Sequence, residues 1–225
     1  MKNIRLETIA DMVQEGMVVA DIGTDHALLP ILLVQSGKTN KVYACDIAEG
    51  PLSSAKENIE KHSMSDSIFP ILSDGFEHVP LDAQIVVIAG MGYLSAKGIL
   101  ERNMDRLSSF QQIIAEINRD PHEMRRWISE NHFTITDESY VHERKHDYEI
   151  ISFTTKQHIP YTDMQIELGP VLMEKQEEGY LQYCQFMQEK LDSIIQKSHG
   201  QAPNIEELIQ RKNFYENYLQ DIKKA

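Results

Sequence analysis

Cysteine is scarce in this chain. Its 225 residues include two, Cys45 and Cys184, far apart and outside any CxxC or CxxH spacing, which argues against a disulfide framework and a structural zinc site. Both are expected to be plain thiols, and no metal is expected. Long apolar runs are missing as well: none reaches the roughly 18 residues a membrane span needs, and residues 1–7 mix charged with apolar side chains, so the chain reads as cytosolic. Positive charge is in short supply, with 22 Lys and Arg against 35 Asp and Glu, a formal net charge of −13. Divided at residue 160, the first part has 24 acidic against 15 basic residues and the second 11 against 7. Phosphate backbones are held largely by Lys and Arg, so any nucleic-acid surface must be a local patch. What remains is ordinary for a globular protein, 41% apolar and 25% charged residues, in a length that holds an α/β domain of about 150 residues and a smaller appendage.

Helical spacing of Ile4, Leu6, Ile9, Ala10 and Val13, stopped at Gly16, predicts an opening helix over 4–15. Apolar runs then recur at 17–22, 42–47, 68–72, 85–89 and 113–117, each continuous enough for a strand buried on both faces. The stretches 27–36, 51–62, 93–107 and 121–131 between them read as helices, with a short turn-rich segment before the fourth strand. The alternation implies a parallel sheet with crossover helices. After the fifth strand, residues 133–141 and 148–153 read as a hairpin joined by the charged stretch 142–147. Parallel strands closed by an antiparallel pair suit a class I Rossmann-type methyltransferase sheet better than a dinucleotide-binding dehydrogenase. Beyond Tyr161, residues 170–198 and 204–223 have helical spacing, broken at 198–203 and restarted at Asn204 as N-cap. They predict an antiparallel helical hairpin. The expected domains are therefore 1–160, a cofactor-binding α/β unit, and 161–225, a helical unit.

The first strand ends in Asp21-Ile22-Gly23-Thr24-Asp25-His26-Ala27, at the turn where open α/β sheets bind ligands. It lacks the GxGxxG pattern a diphosphate needs, and Asp25 would repel phosphate. A cofactor with a cationic amine and sulfonium fits instead, which points to S-adenosylmethionine. Asp46, followed by Ile47, ends the second strand where a carboxylate takes ribose hydroxyls. Asp74, in Ser73-Asp74-Gly75-Phe76, offers a second carboxylate for an adenine amine beside an aromatic ring. The fourth strand runs into Ala89-Gly90-Met91-Gly92-Tyr93, whose small residues allow backbone to approach a flat ligand. Tyr93 is placed either to stack on a base or to pack at its helix start. Each Asp alone is as readily a helix cap; three at three consecutive strand ends make a constellation.

These strings, with Leu29-Pro30, Glu49-Gly50-Pro51, Ser54-Ala55, Asn118, Arg125, Tyr148-Glu149-Ile150 and Gly169-Pro170, resemble the bacterial tRNA adenine-22 N1-methyltransferases over nearly the whole length. The resemblance implies a Rossmann-type domain with a C-terminal coiled coil, S-adenosylmethionine as cofactor and tRNA as acceptor. Leu28, Tyr93 and Glu116-Ile117 depart from the family pattern and are expected around the target-base pocket.

Cofactor contacts are thus expected from Asp21, Gly23, Thr24, Asp46, Ile47, Asp74, Gly75, Phe76, Ala89, Gly90 and Met91. By position at strand ends, Asp25, His26 and Asn118 are catalytic candidates, Asp25 best suited to a developing cation. Arg5, Tyr93, Arg119, Arg125 and Arg126, with Lys2, Arg144 and Lys145, are the candidate acceptor rim. The oligomeric expectation is a monomer or weak homodimer. Two alternatives stay open: a methyltransferase of small molecules or proteins, and a non-catalytic cofactor-binding module whose coiled coil engages a partner.

Overall fold

The computed structural model describes residues 3–198 and 203–224. Five parallel strands, β1 (Val19–Ile22), β2 (Val42–Asp46), β3 (Ile68–Leu72), β4 (Ile85–Met91) and β5 (Gln112–Ile117), are extended by the antiparallel hairpin β6 (Phe133–Glu143) and β7 (His146–Gln157). The sheet order is β3-β2-β1-β4-β5-β7-β6. The order in which successive strands are laid down reverses between the parallel strands β1 and β4, and at such switch points a crevice opens beyond the strand C-termini.

Alternation within the strands supplies two cores. Val86 and Ile88 of β4 face one side with Ile113 and Ala115 of β5, while Ile85 and Val87 face the other with Ile114. Helices α4 (Tyr93–Arg102), α5 (Met104–Leu107) and α6 (Pro121–Glu130) cover the first side, and α1 (Ile4–Met12), α2 (Leu28–Gln35) and α3 (Glu49–Lys61) the second. Burial on both faces is why these strands read as unbroken apolar runs. The outermost strands are each blunted. Pro70 interrupts the donors of β3, and in β6 the Glu138 carbonyl is taken by Lys175 Nζ at 2.6 Å.

Three helices differ from expectation. The helix expected over 93–107 breaks at Asn103, whose side-chain amide donates to the Ile99 carbonyl and competes with continued helix. The helix expected from 170 to 198 is two, α8 (Pro170–Lys175) and α9 (Glu178–Lys197), separated at Gln176 with φ 52°. An additional short helix, α7 (Asp163–Leu168), is started by a capping box between Thr162 and Gln165. The final helix α10 (Ile205–Lys224) starts immediately after Asn204; the expected break over 198–203 lies mostly outside the described residues. Cys45 and Cys184 are buried free thiols, each pushed up to about 12 by that burial.

A third apolar cluster, built on Leu168, Leu172, Tyr180, Cys184, Leu191, Tyr215 and Tyr218, joins α7, α8, α9 and α10. Polar contacts tie it to the sheet. Arg125 of α6 is wholly buried, with Nε 2.5 Å from Glu138 Oε1 and Nη2 bonded to Glu149. Burial works against its charge, and the two carboxylates more than offset it. Glu138 Oε2 also accepts the Val171 and Leu172 amides at the start of α8, while Glu167 of α7 pairs with Arg211 and accepts from Tyr215, both of α10. Gly169, at φ +83°, fits against this cluster because it has no side chain: a Cβ there would lie 2.7 Å from Arg125 Nη2 and 2.8 Å from Glu138 Oε2. Gly169→Ala therefore combines backbone strain with displacement of a buried ion pair, and should cost on the order of 3 kcal/mol. A shift of the urea midpoint to lower concentration checks this, and an unchanged midpoint refutes it.

Candidate active site

The turn after β1 is closed by backbone. Gly23, at φ +79°, and Thr24 both donate their amides to the Cys45 carbonyl, at 2.8 and 2.9 Å. These amides are already engaged by protein, so the turn is not a nest for a diphosphate. The Met91 side chain lies across Gly23, where a Cβ would meet its Cε at 2.3 Å.

Beyond this turn a cleft of about 390 Å³ is lined by Gly23, Asp46, Ile47, Asp74, Gly75 and Met91, among others. Asp46 is oriented by the Ala48 amide, 2.8 Å from Oδ1. Asp74 pairs with Arg102 at 2.7 Å, a partner that sequence reasoning missed because α4 comes back over the cleft only in the fold. Phe76, expected beside the ligand, is instead fully buried and packs edge-on against Phe110. The reason is local: Gly75 at φ +57° turns the chain inward immediately after Asp74.

A second, smaller cavity of about 90 Å³ adjoins the first at Gly23 and is lined by Asn3, Arg5, Asp21, Asp25, Leu28 and Ala89, among others. Burial pushes the Asp21 carboxyl up to about 6, with the charge of Asp46 adding to the rise and the nearby Thr24 hydroxyl and Arg5 guanidinium opposing it. Arg5 enters from α1, packs over the Tyr148 ring at 5.3 Å and pairs with Glu116 Oε2 at 2.5 Å. A cation and a buried carboxylate on one small cavity suit the zwitterionic end of an amino acid.

The end of β4 is held from β5. Gly90, at φ +76°, donates its amide to Glu116 Oε2 at 2.9 Å, and its carbonyl accepts from Asn118 Nδ2 at 2.8 Å. Asn118, a catalytic candidate by position, thus braces the β4 loop. Glu116 was legible as a lone charge in an otherwise apolar strand, although its bracing role was not. Glu116 and Ile117 are both buried, and Tyr93 is half-buried, packed against the sheet cluster and absent from the lining of both cavities. Of the four departures from the family pattern, Leu28 alone lines the cavity. Asp25 and His26 are exposed, with His26 Nε2 3.3 Å from Asp25 Oδ1.

The expected basic rim is thinner in the fold. Arg125 is withdrawn from it completely, because it neutralises Glu138 and Glu149 inside the protein. Arg126 lies 3.7 Å from Glu123, and Lys2 lies outside the described residues. Arg119 is exposed next to Asn118, as are Arg144 and Lys145 at the β6–β7 tip. That tip adjoins α1 through the Ile4 amide, which donates to Glu143. Among the described residues no cluster of three His, Cys, Asp or Glu is arranged for a metal, and no helix is long and apolar enough to cross a membrane.

Sheet order and acid-lined cleft together define a Rossmann-type methyltransferase, and residues 2–151 match the family described as a methyltransferase domain. Within that class the chain belongs to the tRNA (adenine(22)-N(1))-methyltransferase family. A Bacillus subtilis (strain 168) protein named tRNA (adenine(22)-N(1))-methyltransferase is 34% identical over 148 residues, 65% of this chain and 62% of that protein. This chain therefore spans under two thirds of that relative in the match. A Streptococcus pneumoniae structure, described as a putative tRNA (m1A22) methyltransferase, is 30% identical with TM-score 0.87, covering 97% of this chain and 100% of that one. The same S. pneumoniae protein solved with S-adenosyl-L-methionine gives 28% identity and TM-score 0.86 over the same shares.

The raised Asp21 value has a stability cost. A carboxyl whose folded value is about 6 against 3.8 contributes stability that is fully present below 3.8 and lost as pH rises through 6. At about 1.4 kcal/mol per unit, Asp21→Asn should gain on the order of 3 kcal/mol at pH 8, shrinking as pH falls from 6 to 4. It should also weaken binding of an ammonium-bearing ligand. Denaturation at several pH values and calorimetry with S-adenosylhomocysteine read the two effects; a pH-independent gain would contradict the ionised, desolvated carboxylate.

Proposed function

We propose that this chain transfers a methyl group from S-adenosylmethionine to N1 of adenine 22 in tRNA. The observation that carries the proposal is the mutual coverage of 97% and 100% with the S. pneumoniae protein at 30% identity, which includes the helical tail as well as the sheet domain. The acid-lined cleft fits the cofactor: Asp46 for the ribose hydroxyls, Asp74 for the adenine amine, and Asp21 with Arg5 for the amino-acid end. When bound, the cofactor supplies an electrophilic methyl carbon at a sulfonium.

The protein's part is mostly alignment. Adenine N1 already has an in-plane lone pair, so no base is needed to create the nucleophile, and holding N1 in line with the methyl carbon accounts for most of the rate. Asp25, exposed at the mouth, offsets the positive charge that N1 acquires and can accept the proton that is later lost. His26 orients that carboxylate, and Asn118 and Glu116 fix the backbone of β4 on which the base would rest. The target base leaves its stack at a cost of a few kcal/mol, which contacts elsewhere on the tRNA must offset. Exposed Arg119, Arg144 and Lys145 are assigned to this, together with the residues from 161 on as a recognition unit distinct from the catalytic residues 1–160. A monomer or weak homodimer acting in the cytoplasm completes the proposal.

Incubation of tRNA with the protein and methyl-labelled cofactor should give label recovered as 1-methyladenosine. Its absence while calorimetry shows cofactor binding would overturn the tRNA assignment and favour a small-molecule acceptor, in keeping with the acidic net charge. Lys145→Glu should weaken tRNA binding with S-adenosylhomocysteine affinity unchanged. If about three phosphates are neutralised, the slope of log affinity against log salt is about −2.7, and it falls in size by about 0.9 for each phosphate that a variant no longer holds.

A further inference from the structure

Between Asp25 and α2 the backbone takes an unusual path. His26 (φ 53°) and Ala27 (φ 51°) are consecutive non-glycine residues in the left-handed region, a conformation that L side chains resist and rarely adopt in succession. The path has a clear effect on the site. It closes with the Leu28 amide on the Asp25 carbonyl at 3.3 Å, and it brings both Asp25 and Leu28 to the wall of the 90 Å³ cavity while His26 lines the neighbouring groove. Relaxation of residues 26 and 27 to ordinary φ would redirect the chain between Asp25 and Leu28.

One contact from another element reaches the middle of this turn. Asn58 of α3 is half-buried on the flank of the face made by Leu52, Ala55 and Ile59, and its Nδ2 donates to the His26 carbonyl at 2.8 Å. The carbonyl belongs to the peptide linking the two left-handed residues, so fixing its direction fixes ψ of His26 and φ of Ala27 together. Strain of this kind persists at functional sites when the surroundings over-determine it. We propose that Asn58 is a positioning residue for methyl transfer: it holds the left-handed pair at residues 26 and 27 and thereby keeps Asp25 and Leu28 at the mouth of the methyl-donor cavity.

This rests on the methyltransferase assignment above, and its test uses glycine to separate a positioning role from a merely structural one. Glycine accepts positive φ without a Cβ penalty, so Ala27→Gly lets the turn keep its shape without the Asn58 hydrogen bond. Asn58→Asp retains the size of the side chain and removes the donor. In the full-length protein, Asn58→Ala and Asn58→Asp should speed amide exchange over residues 24–31 and lower kcat on tRNA about tenfold, with KM for tRNA within about twofold. Adding Ala27→Gly to either should restore both exchange and kcat to within about threefold of the Ala27→Gly protein alone. Wild-type exchange in the Asn58 variants, or failure of glycine to restore it, overturns the proposal. A wild-type protein that yields no 1-methyladenosine refutes the acceptor assignment by itself, and the exchange measurements still decide the role of Asn58.

Discussion

A guanidinium with no access to water must be met by carboxylates, and in this protein that requirement falls at the junction between the sheet and the helical tail. Arg125 draws Glu138 of β6 and Glu149 of β7 onto α6. Glu138 in turn takes the first amides of α8, where the positive end of a helix favours a carboxylate. Nearby, Glu167, whose carbonyl faces Arg125 Nη1 at 3.5 Å, carries the chain of contacts to α10 through Arg211 and Tyr215. Apolar packing of the same volume would often be as stable. Charge pairing instead specifies direction, because apolar surfaces can slide while donors and acceptors cannot. The angle at which the tail leaves the sheet is therefore set by ions, and α6 carries it back to Asp120 and Asn118 at the edge of the active site.

The opposite economy holds in the cavity beside the first strand. Asp21 is kept where its ionised form is disfavoured, Gly90 is turned to positive φ and held between Glu116 and Asn118, and Met91 lies over Gly23. Together these features shape a surface for a ligand with a cationic end.

Much of this architecture was legible in the sequence where a periodic pattern met a single structural explanation. The apolar runs Ile85 to Ala89 and, but for Glu116, Ile113 to Ile117 fit strands covered on both sides, and the acidic residues Asp21, Asp46 and Asp74 at the ends of β1, β2 and β3 mark the crevice. Residues whose role depends on what comes back from far along the chain were not legible. Arg125 reads as an ordinary helix cation until Glu138 and Glu149 close over it, and Phe76 reads as a cleft aromatic until Gly75 turns it into the core. The breaks at Asn103 and Gln176 escaped for a local reason, since neither Asn nor Gln interrupts helical spacing in a pattern of apolar positions. Three of the four residues that suggested an altered acceptor pocket lie behind the cavity wall or beside it, which leaves Leu28 as the departure a substrate would meet.

Pro70 has a bearing on how this protein can associate. A proline is tolerated within a sheet only where its nitrogen faces away from the ladder, so in β3 the open side lacks a donor at its midpoint. At the far end of the sheet, Lys175 covers the Glu138 carbonyl of β6, and α8 and α9 pack against that strand. Neither margin offers an uninterrupted row of backbone groups to another chain. A strand added from another chain would therefore meet a missing donor at one margin and an occupied carbonyl at the other.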